Sequence, residues 1–317
     1  MVGLAEWTDE KEILFPEMTA LIIGLLIIDK RVWNVKRWQI ILLMTLGAVA
    51  GICIVRYSPL PYVVNLYAAF VFAGASLLIS RATLIPLISA CVLPVLLHTE
   101  SIVYPIAVFS MSVSVVLVQI ILEKCGIRKR MPKPVDRKPG KEDIIRWLIL
   151  FCFVGALAEL AVGMDYPYLI LPPLMVTFVE MVNSKAGFRN RPTQVFLFLT
   201  TAATLGTVLQ IVGHYHLHLP ESIVALTIAA ILFLIFEWTG KYFAPAGALA
   251  FIPMLLPKEN LGWLPLEASI GAALFITIAM VVFQKCYKWN RAQLIFCATP
   301  TLLREYMNRK KRKKQIE

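Results

Sequence analysis

Long apolar runs, separated by short polar clusters, follow one another from one end of the chain to the other. The apolar residues do not alternate with polar ones as they would in half-buried strands. A helix crossing a bilayer needs roughly 20 such residues, or somewhat fewer where polar flanks reach the interface. On that basis the runs at 14–29, 38–57, 61–80, 83–97, 102–122, 143–163, 168–183, 194–213, 221–238, 242–256 and 266–285 predict an all-α, polytopic membrane protein of about eleven segments. The run at 242–256 stands out. Its 15 residues span about 22 Å as a helix, against a hydrocarbon core of roughly 30 Å. It also carries Pro245 and Pro253, and Pro257 follows it.

Composition agrees with the pattern: 59% of the 317 residues are hydrophobic and 16% charged, too little polar surface for an ordinary soluble globule. The net charge of +11 would suggest a nucleic-acid partner in a soluble protein. Here it follows topology. With the acidic start MVGLAEWTDEKEI outside, only Lys11, Arg56 and Lys258 of the 31 Lys and Arg residues face outward, as the positive-inside rule requires. That leaves nothing for nucleic acid to explain, and none is expected as a partner. The expected location is a plasma or inner membrane, with the N-terminus outside and the C-terminus cytoplasmic. The acidic start also predicts that the first run stays as a span and is not a removable leader.

The chain divides into a first membrane repeat (1–123), a basic cytoplasmic linker (124–142), a linking helix plus second repeat (143–286), and an interfacial helix with a polybasic tail (287–317). The tail holds six consecutive basic residues, Arg309 to Lys314, suited to anionic lipid. The halves align with an offset of about 155 residues early and 159 to 161 later: Lys30 on Lys185, Gln39 on Gln194, Gly51 on Gly206, Pro86 on Pro245, Pro94 on Pro253, Glu100 on Glu259. Matches in order at nearly constant spacing predict a duplication. Five segments would invert the second copy, and the extra segment at 143–163 restores its direction. The result is two parallel five-segment repeats joined by one linking helix, an architecture in which transporters place their path between repeats.

The second half contains Phe243-Ala244-Pro245 followed by Ala246-Gly247-Ala248-Leu249-Ala250, then Leu261-Gly262-Trp263. Upstream lies KAGFRNRPTQVFLFLTTAATLGTVL with its late Gly206. Over about residues 143–286 this resembles the HPP family of integral membrane proteins, with the first half matching as a diverged copy. Members in photosynthetic lineages are associated with nitrite transport, so the resemblance implies a small-ion transporter. The His and first Pro of the family motif are Phe243 and Ala244 here, and Leu84-Ile85-Pro86 occupies the first-half position.

Residues 84–97 and 243–256 read as short, proline-broken helices. Irregular backbone inside a bilayer is tolerated where it is buried in protein or lines a cavity, so these segments either frame a central site or pack tightly as kinked helices. Arg81 and Lys241 precede them, so that cation and helix N-terminus together suit an anion; both also sit where positive-inside flanks belong. The expected substrate path comprises Arg81, Pro86, Lys241, Pro245, Ala246, Gly247 and Glu180, with Arg189 and Arg191 at a cytoplasmic entry. Among the acids within spans, Glu17, Glu159, Glu180 and Glu237, the sequence favours Glu180 as a buried carboxyl. The four-residue spacing of Glu237 and Lys241 predicts an ion pair.

The alternating histidines of GHYHLHLPE read as an incidental loop and not a zinc site, and the six scattered cysteines as apolar filler. No metal or cofactor is expected. No nucleophile elbow, P-loop, zinc-protease or dinucleotide motif occurs, so the chain is not read as an enzyme. The functional expectation is transport of a small solute, an anion, between the repeats, by a protein that is free to oligomerise. The alternative is a non-transporting scaffold that recruits partners through its basic linker and tail.

Overall fold

A computed structural model describes residues 2–8, 10–29, 31–132, 134–135, 138–183 and 191–286, with no β-strand among them. The helices are α1 (Val2–Thr8), α2 (Glu17–Ile22, continued by a π-helical turn Ile23–Ile27), α3 (Arg37–Tyr57), α4 (Tyr62–Ser80), α5 (Leu87–Leu97), α6 (Val103–Lys124), α7 (Lys141–Gly163), α8 (Pro172–Asn183), α9 (Pro192–Leu209), α10 (Glu221–Thr239), α11 (Ala244–Phe251), α12 (Lys258–Leu261) and α13 (Leu264–Cys286). Seven of them are long and apolar enough to cross a membrane: α3, α4, α6, α7, α9 with its π-helical continuation to His216, α10 and α13. They mark an integral membrane protein. The 21 residues of α3, for example, extend about 31 Å, close to one hydrocarbon thickness.

The runs predicted at 14–29, 83–97, 168–183 and 242–256 form shorter helices, α2, α5, α8 and α11, entered through turns or extended backbone. Both prolines of the P-x7-P pattern shape α5 and α11. Pro86 caps the start of α5 and Pro245 lies in the first turn of α11, where a missing N–H costs nothing. The second proline falls further along and deprives the carbonyl four residues earlier of its donor. In α5 that orphan is Ala90, and the Tyr104 hydroxyl of α6 donates to its carbonyl at 3.1 Å. In α11 the orphan is Leu249, and the chain tightens into a 3-10 turn, Ile252–Met254, so that the Ile252 amide reaches it.

Two glycines set how closely the long helices approach these short ones. A Cβ at Gly51 of α3 would lie 2.4 Å from the Cys91 carbonyl oxygen of α5, and one at Gly206 of α9 would lie 2.1 Å from that of Ala250 in α11. No larger side chain fits either place without moving backbone. α4 and α10 end alike, in left-handed residues Arg81 (φ 54°) and Gly240 (φ 64°). The next amides, Ala82 and Lys241, return to the carbonyls of Leu77 and Phe236, the bonding of a Schellman cap. Because the helix stops there, Lys241 leaves the register that would pair it with Glu237. The predicted ion pair does not form: Lys241 Nζ donates to Gln194 Oε1 at 2.8 Å, and Glu237 accepts from the Tyr242 hydroxyl.

The core is completed crosswise. α2 packs on α11, and α8 packs on α5. A Cβ at Gly247 of α11 would meet Ile23 at 2.6 Å and Thr19 at 3.0 Å, both of α2. The basic segments Arg31–Arg37, Arg81–Thr83 and the described linker residues 124–132, 134 and 135 gather at one end, where Asn34 bonds Thr83 and holds Val135 through both its amide and its carbonyl.

Candidate functional site

At the other end a cleft of about 310 Å³ lies between the last turns of α5 and the segment following α11. That volume is at the lower bound for small-molecule sites. Leu93, Pro94 and His98 line one side and Leu255, Leu256 and Pro257 the other; Tyr104, Tyr168 and Asn260 add hydroxyl and amide groups. Asn260 donates to the Tyr168 hydroxyl at 2.6 Å. His98, itself left-handed at φ 54°, stacks on Tyr62 with ring centroids 4.7 Å apart.

Glu17 does not line this cleft but neighbours residues that do. Leu14, one turn before it, and Tyr104, within electrostatic range of its carboxyl, both line the cleft. Glu17 is 1% exposed, and neither of its carboxyl oxygens has a hydrogen-bond partner. Ser89 of α5, wholly buried, brings its hydroxyl towards that carboxyl without the geometry of a hydrogen bond, and it too lacks a partner. Ser89 and Leu93 are four residues apart, on one face of α5. Tyr104 cannot serve the carboxyl with its proton, since that donates to Ala90. A buried carboxyl and hydroxyl left unsatisfied are costly, and in a membrane protein such groups mark solute or proton pathways.

The sequence-predicted residues fall elsewhere. Pro86, Pro245, Ala246 and Gly247 are buried in α5 and α11, but Gly247 is packed tightly on α2 and leaves no room for a solute beside it. Arg81 is exposed and lines a separate cleft at the basic end with Asn34, Thr83 and Arg146. Lys241 meets Gln194, and its pKa is lowered by burial and then by nearby Arg191, so these two cations share a neighbourhood. Arg189 lies outside the described residues. Glu180 accepts a long bond of 3.4 Å from Trp33 Nε1, which ties the end of α8 to the loop after α2. Glu159 and Glu237 are exposed. Sequence reasoning weighed Glu17 but did not select it; the signal present in the sequence is a lone acid inside FPEMTALIIG, flanked by apolar residues on both sides.

Among the described residues no group of three His, Cys, Asp or Glu side chains could hold a metal ion. His214 and His216 donate through Nδ1 to the carbonyls of Leu219 and Ile211, which closes the end of the π-helical turn. Compared with known proteins, the chain matches no family model, no curated protein and no solved structure.

Proposed function

We propose that this chain carries a small solute through a path between its two halves, opening at the cleft between α5 and α11 and passing Glu17 and Ser89. The observation that carries this reading is the unpartnered, buried carboxyl of Glu17, linked through Leu14 and Tyr104 to a cleft lined by both proline-broken segments. On this reading the halves are parallel repeats, as the ordered matches between them and the extra segment at 143–163 imply, and the eleven segments all lie within the membrane. Matched features support it: the Gly51 and Gly206 contacts, the caps at Arg81 and Gly240, and the reciprocal packing of α2 on α11 and α8 on α5. The solute is a small anion. A negative charge moving past a carboxyl requires that carboxyl to be neutral, so the anion travels with a proton taken up by Glu17.

Uptake of radiolabelled inorganic and small organic anions into vesicles holding the purified protein tests this. Uptake above empty vesicles, raised by an inward proton gradient, is expected. Glu17→Gln, which keeps the shape and abolishes titration, should remove the gradient dependence. No uptake of any of these anions by folded wild-type protein would overturn the proposal.

A further inference from the structure

A second cleft, of about 420 Å³, opens at the basic end between the turn after α2, the start of α3, the end of α6 and the linker. Among the described residues, Arg31, Lys36, Arg37, Lys124 and Arg130 line it with one acid, Glu123, and Asp29 lies within electrostatic range of the adjacent Arg128. Glu123 is already engaged, by Arg37 in an ion pair at 2.5 Å and by the Gln119 amide at 3.2 Å. Basic residues flank every such protein on its cytoplasmic side, but those extend into water, where each charge is hydrated. These differ. Arg31 gives Nη2 to the Val35 carbonyl at 3.0 Å, while its Nη1 is shut off from solvent and has no hydrogen-bond partner. Next to this cluster Arg128, 7% exposed, gives Nη2 to the Ile28 carbonyl and leaves Nε and Nη1 buried and unmatched. Gln119, 2% exposed, likewise has an unmatched Oε1.

Buried cationic donors left unmatched are destabilising, and more cations than carboxylates surround them here. A tetrahedral oxyanion meets the need: it neutralises the excess charge, and its several acceptor oxygens match a guanidinium fork. A protonated phosphate oxygen or an adjoining hydroxyl would in turn donate to Gln119 Oε1. We infer that this cleft is a binding site for a phosphate group, with the Arg31 guanidinium as its principal ligand and Lys36 and Arg130 closing over it. The phosphate comes from the headgroup of an anionic lipid or from free phosphate. The inference is independent of the transport reading, whose cleft lies at the other end of the molecule.

Modification of Arg31 by phenylglyoxal, read by peptide mass spectrometry on the full-length protein, tests it in two arms. One uses inorganic phosphate in detergent; the other uses nanodiscs of phosphatidylcholine with and without phosphatidic acid. Protection in both arms assigns a site for the phosphate group itself. Protection by phosphatidic acid alone assigns the lipid headgroup, and protection by phosphate alone assigns the free ion. Protection in neither arm overturns the proposal. In direct binding measurements, Arg31→Gln should weaken the protecting ligand about ten-fold or more, the loss expected for a charge-assisted hydrogen bond. Lys258→Gln, an equal change of charge at the opposite end, should leave it unchanged. Equal binding by wild type and Arg31→Gln would also overturn the assignment.

Discussion

α5 and α11 carry prolines at the same spacing and resolve the resulting defect differently. α5 stays helical through Pro94 and borrows a donor from Tyr104 on another helix, whereas α11 mends itself by tightening its own backbone at Pro253. The two also differ in chemistry: Ser89 gives α5 a buried hydroxyl, while α11 is apolar from Ala244 to Phe251. A shared frame therefore coexists with unequal loading. The first-half helix depends on a neighbour and faces the buried acid; the second-half helix is self-sufficient and serves as the packing surface for α2.

The largest expected effect falls on what the two share. Gly51→Ala and Gly206→Ala should each destabilise the protein by about 1–3 kcal/mol, since the new methyl meets backbone. Gly163→Ala, with nothing within 4 Å of the added carbon, should be neutral or gain about 0.4–1 kcal/mol. Thermal unfolding in detergent separates these outcomes, and equal melting of Gly206→Ala and wild type would refute the close approach.

Next comes the point of divergence. Tyr104→Phe leaves the Ala90 carbonyl unsatisfied and should cost about 1–3 kcal/mol. Adding Pro94→Ala supplies the missing N–H, so the double variant should recover much of that loss. Additive losses in the double-mutant cycle would mean that Tyr104 does not serve the proline defect.

The position of the segments was legible because apolar run length is a property of contiguous sequence. The runs at 83–97 and 242–256, with their paired prolines, predicted short interrupted helices, and α5 and α11 are short. What sequence did not disclose was lateral position. Glu17, Glu159, Glu180 and Glu237 have similar apolar surroundings along the chain, yet one is buried without a partner, one is bonded to Trp33, and two are exposed. Which face of a span turns inward depends on helices more than seventy residues away, such as α5 and α6 around Glu17. Arg31 was equally opaque: a basic loop after a span satisfies the positive-inside pattern whether its guanidinium is hydrated or enclosed.

The smallest effect concerns the entry to the second half. Glu6 of α1 accepts the amides of Glu221 and Ser222 and the Ser222 hydroxyl, and so caps the start of α10 from a distant part of the chain. Burial raises its pKa, but these hydrogen bonds outweigh that effect and hold it below the ordinary carboxylate value. Its contribution is therefore complete above the unfolded-state pKa and is lost as pH falls through the lowered folded value. Melting temperatures of wild type and Glu6→Gln should differ most near neutral pH and converge in acid. A gap that persists in acid would show that the link is not ionic.

The crosswise packing of α2 on α11 has a consequence for biosynthesis. During translation α2 leaves the ribosome long before α11. Until α11 arrives, then, the face of α2 that carries Thr19 and Ile23 lacks its partner, and the nascent protein depends on the insertion machinery or on surrounding lipid to shield it.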